Sequence, residues 1–119
     1  MPLETFQPGD MILGTFPVMT RKITVAAGAG ELKRGTVLGR VTADDTFLTS
    51  TAAAGDGSET PECILAADID ATGAAVDTVG YYTGGYDASK LTFGAGITVE
   101  IAEKAFAIAG RSIFLKELV

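Results

Sequence analysis

The chain has 119 residues, 47% of them hydrophobic, with a formal net charge of −6, one cysteine and no histidine. That length suits a single domain with a real core. The missing histidine removes the commonest general base and metal ligand, and with it any Ser-His-Asp or Cys-His arrangement.

The other exclusions follow from the same composition. One cysteine rules out an intrachain disulfide, and one cysteine without histidine is no basis for a zinc site. The Lys and Arg residues are scattered along the chain, at Arg21, Lys22, Lys33, Arg34, Arg40, Lys90, Lys104, Arg111 and Lys116. No stretch has the basic density that phosphate neutralisation requires, so neither nucleic acid nor an anionic membrane is an expected partner. No apolar run approaches the roughly 20 residues that span a bilayer. The N-terminus has no basic stretch followed by an apolar core, so no signal peptide is expected and synthesis in a cytosol-like compartment is. No catalytic group, no metal and no cofactor is expected.

In chain order, residues 1–15 read as an extended arm. Pro2, Pro8 and Gly9-Asp10 interrupt any helix there, because proline lacks the amide donor and restricts the residue before it. Residues 16–119 read as one β-rich domain. Residues 21–26 alternate polar and apolar, as a half-buried strand does. Gly28-Ala29-Gly30 signals a turn. Gly35 permits another, and residues 36–41 are a β-branched strand. Asp44-Asp45 predicts a turn and residues 46–49 a short strand. Residues 50–62 form a long loop of small residues, of a length at which loops are often functional.

Residues 63–69 are a continuous apolar run, which predicts a strand buried on both faces; Cys63 within it reads as a small buried hydrophobe. Residues 70–73 predict a turn and 76–83 a strand, with Gly84-Gly85 breaking it. One helix is predicted, over 99–109. Thr98 is its cap; Val99, Ala102, Phe106 and Ala109 form its buried stripe; Gly110 is the left-handed residue that ends it. Residues 112–118 are a last strand. The predicted fold class is therefore α+β, mostly β: a small sheet or barrel-like domain with one late helix and an extended N-terminal arm.

Motifs of the kind that carries chemistry do not develop. Asp44-Asp45 and Asp68-Ile69-Asp70 are the closest carboxylate pairs, but catalytic pairs generally come from separate elements across a cleft, and neither pair continues as a calcium loop. They read as solvated turn residues. Gly94-Ala95-Gly96 precedes the helix and reads as a loop; no Gly-Lys-Ser/Thr follows any glycine cluster.

The ordered set of segments 32–41, 63–67, 79–86, 90–93 and the helix with Gly110-Arg111-Ser112-Ile113-Phe114-Leu115 resembles the lambda-type head decoration proteins of tailed bacteriophages. The resemblance covers residue 21 to the end. It implies a virion protein on the outer surface of the capsid, made in the cytoplasm of a bacterial host. It implies a homotrimer at three-fold sites of the expanded head, whose partners are its own copies and the major capsid protein. It further implies that residues 1–15 are a capsid-binding arm. Leu3, Glu4, Thr5, Phe6 and Gln7 would make the contact, with Leu3 and Phe6 as apolar anchors and main-chain pairing supplying affinity. A fibre or spike module, and a small β-barrel binding domain, remain open alternatives.

Overall fold

The computed structural model describes residues 12–13 and 17–116. Among the described residues, ten strands, one 3-10 turn at Ala88–Lys90 and one α-helix follow in the order β1 (Ile12–Leu13), β2 (Thr20–Val25), β3 (Gly30–Leu32), β4 (Val37–Arg40), β5 (Phe47–Thr49), β6 (Pro61–Leu65), β7 (Ile69–Ala71), β8 (Val76–Tyr81), β9 (Gly84–Asp87), α1 (Val99–Ile108) and β10 (Ile113–Lys116). The fold is mostly β, with a small closed barrel and one late helix, as the sequence predicts.

The barrel has the strand order β2-β5-β4-β6-β8. Four of its pairings are antiparallel; the seam is the parallel pair β2·β5, which meets at Val25 and Phe47. A second sheet, β1-β9-β10, lies outside the barrel, with β10 parallel and β1 antiparallel to β9. A short ribbon, β3·β7, completes the strands.

Two cores result, and the two-residue strand period assigns side chains to them. Ile23, Val25, Leu38, Phe47, Cys63, Leu65 and Tyr82 fill the barrel. Val37, Ile64 and Tyr81 point the other way, into a layer closed by Tyr86, Leu91, Ile97, Ala102, Phe106, Ile113 and Leu115. Consecutive residues such as Val37 and Leu38, or Ile64 and Leu65, thus serve opposite cores. This is why Cys63-Ile64-Leu65 reads as an unbroken apolar run, and the expectation of a strand buried on both faces holds for β6.

Helix α1 has the ends the sequence predicts. The Thr98 hydroxyl accepts from the Ile101 amide at 3.2 Å. At the other end Gly110 (φ 77°) donates to the Ala107 carbonyl and Arg111 donates to the Phe106 carbonyl. That pair of bonds is a Schellman motif, which glycine favours because it carries no Cβ into the left-handed region.

Four expectations are corrected. The strand predicted over 76–83 does end before Gly84, at Tyr81, but Gly84-Gly85 is not the break itself: both residues lie in β9, the central strand of the outer sheet. Gly84 has φ 132°, and a Cβ there would come within 2.8 Å of the Tyr86 hydroxyl, so glycine is required by packing. The apolar run ends as a strand at Leu65, and Ile69 begins a separate strand. Asp70 and Ala71 are in β7 because they pair with Glu31 and Gly30; the turn comes after them. Ala109 is exposed, because the helix ends at Ile108 and the chain reverses at Gly110.

Candidate functional site

The residues expected to contact a capsid, Leu3, Glu4, Thr5, Phe6 and Gln7, lie outside the described residues. Within residues 1–15 only Ile12 and Leu13 are described. They pair with Tyr86 and Gly85, so the chain is anchored on β9 there. It is tied a second time before β2: the Thr83 hydroxyl donates to the Pro17 carbonyl at 2.9 Å and accepts from the Met19 amide at 2.8 Å. The root of the N-terminal segment is thus fixed beside the loop that follows β8.

Next to that root lies the mouth of the barrel, a hollow of about 510 Å³. Four structural features bring its side chains together. Arg21 comes from β2, where its register partner is Gly80. Arg40 is the last residue of β4. Glu62 sits at an irregularity of β6: Leu38 pairs with Cys63 and Gly39 with Pro61, leaving Glu62 as the extra residue of a bulge, a device that re-aims a side chain. Arg111 arrives through the Schellman turn after α1.

These groups converge on Tyr82 and on the Glu62 carboxylate. Glu62 lies 3.4 Å from Arg40 Nε and 3.2 Å from Arg111 Nη2, and accepts from the Tyr82 hydroxyl at 3.4 Å. Arg111 Nε also donates to the Glu62 carbonyl at 3.4 Å. Arg40 Nη1 meets Asp45 at 2.6 Å. The Arg21 and Arg111 guanidiniums lie 5.1 and 4.8 Å from the centroid of the Tyr82 ring, within cation–π range. Arg21 makes no ion pair among the described residues.

The polar chemistry of the mouth is that of recognition. Burial pushes the Tyr82 phenol above its ordinary range, and neighbouring Cys63 and Glu62 act in the same direction, so Tyr82 is a neutral donor at any ordinary pH. Burial likewise pushes the Cys63 thiol up to about 12, with the Glu62 charge adding to it. A thiol held in that form is a poor nucleophile, as the reading of Cys63 as a buried hydrophobe requires.

The carboxylates singled out in the sequence serve turns. Asp44 accepts from the Thr46 amide and hydroxyl at 3.2 and 2.7 Å, Asp70 from those of Thr72 at 3.0 and 2.6 Å. Asp68 accepts from the Arg34 amide at 2.7 Å. Asp56 with Ser58, and Asp87 with Ser89, repeat the arrangement. An Asp-x-Ser/Thr pattern therefore occurs four times, a turn signal that the sequence carries at positions 44, 56, 70 and 87. Among the described residues no group of three or more His, Cys, Asp or Glu side chains is placed to hold a metal ion, and no helix is long and apolar enough to cross a membrane.

The cluster at the barrel mouth is far less legible in the sequence. Its arginines are spread over 91 positions of sequence, from 21 to 111, and only Gly110-Arg111 hinted that a helix end would redirect one of them. Residues 2–113 match the family model for bacteriophage lambda head decoration protein D. A search of the curated proteins found no match.

Proposed function

The chain belongs to the bacteriophage lambda head decoration protein D family and is accordingly a capsid decoration protein; from that premise we propose that it is a homotrimer that clamps the expanded head at its three-fold sites. Its partners are two further copies and the major capsid protein, its place is the outer surface of the virion, and it performs no catalysis. The family match carries this reading, because it extends to residue 2 and so takes in the N-terminal segment as well as the domain. That the match is to a head protein favours the shell over a fibre or spike.

The N-terminal segment is the part that grips the coat. Leu3, Glu4, Thr5, Phe6 and Gln7 supply the contact by strand addition, with Leu3 and Phe6 as anchors. Support comes from how the segment is rooted: a strand pairing at Ile12–Leu13 and two hydrogen bonds at Thr83 transmit a pull on the arm into β8 and β9. Three arms on one site also multiply a modest single contact through effective concentration.

The test is co-sedimentation with expanded and unexpanded shells, after light scattering has established the mass in solution. A trimer that pellets with expanded shells only, and that loses binding when residues 1–11 are removed, is the expected result. That deletion spares β1. A monomer, or a trimer indifferent to expansion, overturns the reading.

A further inference from the structure

We propose that the barrel mouth is a second capsid-contacting site, a socket in which Arg21, Arg111 and Tyr82 receive an acidic side chain of the coat subunit; this rests on the decoration reading above.

Charge distribution is the first ground. The chain as a whole carries −6, yet four of its nine Lys and Arg residues, Arg21, Lys22, Arg40 and Arg111, line this one hollow against two carboxylates, Asp45 and Glu62. Glu62 is shared by Arg40 and Arg111, and Arg40 also engages Asp45. Lys22 is paired with Asp77 at 3.7 Å. The surplus therefore resides on Arg21 and on the incompletely matched Arg111. Guanidinium forks match carboxylates in geometry as well as charge, and Glu62 shows a carboxylate already held by the same fork.

Composition and position are the second ground. A smaller hollow of about 280 Å³ shares Arg21, Tyr82 and Arg111 with the mouth and adds Met19 and Thr83. Met19 is 60% exposed and Val18 is exposed beside it. Tyr, Arg and Met around a polar centre are the residue types enriched at protein interfaces. A nucleic-acid backbone would instead meet the repulsion of a strongly acidic molecule and a patch too small to follow a strand. Met19 lines the smaller hollow and is tied through its amide to the Thr83 hydroxyl, just before β2 begins. Arm and socket then form a two-part contact: the arm supplies main-chain pairing, and the socket fixes the rotation of the domain about the arm.

The experiment compares Arg21→Glu and Arg111→Gln with the unaltered protein in shell co-sedimentation across a salt series, with light scattering on each. Arg21 is exposed, so its reversal leaves the fold intact, which circular dichroism checks. Arg21→Glu should bind expanded shells at least about tenfold more weakly, and Arg111→Gln more weakly too, since the loss of one partner of a close charge pair at an interface is costly. The unaltered protein should lose affinity as salt rises, and Arg21→Glu much less so. Equal binding of Arg21→Glu and the unaltered protein sinks the socket while leaving the decoration reading intact. Failure of the unaltered protein to bind shells sinks the decoration reading itself. Loss of self-association in Arg21→Glu would place the acidic partner on a second copy, and binding of a labelled DNA duplex abolished by the same change would place it on nucleic acid; either result overturns the proposal. Independently of shells, a hexaglutamate peptide should shift the Arg21 and Arg111 Nε–H resonances, and their immobility counts against the socket.

Discussion

The two cores share β4 and β6 but are enclosed in different ways. Around the barrel interior, backbone hydrogen bonds run from strand to strand and close on themselves through the β2·β5 seam. The outer core is enclosed by β9 and β10 of the open second sheet, by one ten-residue helix, and by the 3-10 turn and the stretch holding Leu91 and Ile97. A closed barrel has no free edge. A helix of that length is marginal alone and is held by the face it buries. The first core is therefore closed by main-chain pairing all round, whereas the second is completed by the side-chain packing of the helix on an open sheet.

Phe106→Ala is the severest way to test that contrast. Phe106 is fully buried in the outer core, and its removal should cost about 3–5 kcal/mol, measurable by urea unfolding. Amides of β9 and β10 should lose hydrogen-exchange protection well before those of β4 and β6. If both groups become labile together, the cores are one cooperative unit and the distinction fails.

Inside the barrel the corresponding probe is overpacking. A Cβ on Gly80 would lie 2.9 Å from Cys63 Sγ and 3.2 Å from Ile23 Cδ1. Gly80→Ala should lose about 1–3 kcal/mol. Cys63→Ala removes the obstructing sulfur, so the double variant should be more stable than the sum of the two single losses predicts. A coupling of about 0.5 kcal/mol or more in a double-mutant cycle checks it; strict additivity would mean that the barrel wall yields elsewhere.

The two cores also differ in how plainly they are written in the sequence. Local signals were readable: the Thr98 cap, the Gly110 stop, the alternation of β2 and β8, and the doubly buried Cys63-Ile64-Leu65. What was not readable is long-range. The barrel closes by a single parallel register between Val25 and Phe47, which no local pattern encodes. Gly84-Gly85 reads as the end of a strand until Tyr86 is seen to occupy the space a Cβ would need, which makes the pair part of β9. The barrel mouth was illegible for the same reason: Arg21, Glu62 and Arg111 are ordinary isolated charges until a bulge and a Schellman turn aim them at Tyr82. The four Asp-x-Ser/Thr turns are the opposite case, a local and readable signal in which a carboxylate precedes a hydroxyl and its amide by two residues.

Those turns set a pH dependence on the loops and leave the two cores untouched. Asp44, Asp56 and Asp70 each titrate below the ordinary carboxylate value, first because of the hydroxyl of Thr46, Ser58 or Thr72, then because of its amide. A carboxyl whose pKa is lower folded than unfolded binds fewer protons in the native state. Its stabilisation is complete above the unfolded pKa, ordinarily near 3.8, and is lost as pH falls through the depressed folded value. Urea midpoints should thus be level towards neutral pH and drop below about pH 4. Replacing the three residues by Asn should flatten the drop; an unchanged profile would assign it to other carboxylates.

The smallest expected effect concerns Ser50, where β5 leaves the barrel. Ser50 is fully buried, its amide donates to the Val37 carbonyl at 3.0 Å, and its carbonyl occupies the space a Cβ at residue 94 would need, which glycine leaves free. The main chain is therefore well held, yet the hydroxyl has no hydrogen-bond partner among the described residues. A buried polar atom without a partner carries an uncompensated desolvation cost of about 1–3 kcal/mol. Alanine removes that cost and leaves only a gap the size of one oxygen, which takes back part of the gain. Ser50→Ala should therefore shift stability by no more than about 1 kcal/mol, towards greater stability, read as a higher urea midpoint at unchanged slope. A clear loss of stability would show instead that the hydroxyl donates to a buried water. The chain after β5 would then be held by a buried polar contact, and the division into a barrel closed by pairing and a layer completed by packing would need a third, hydrated element.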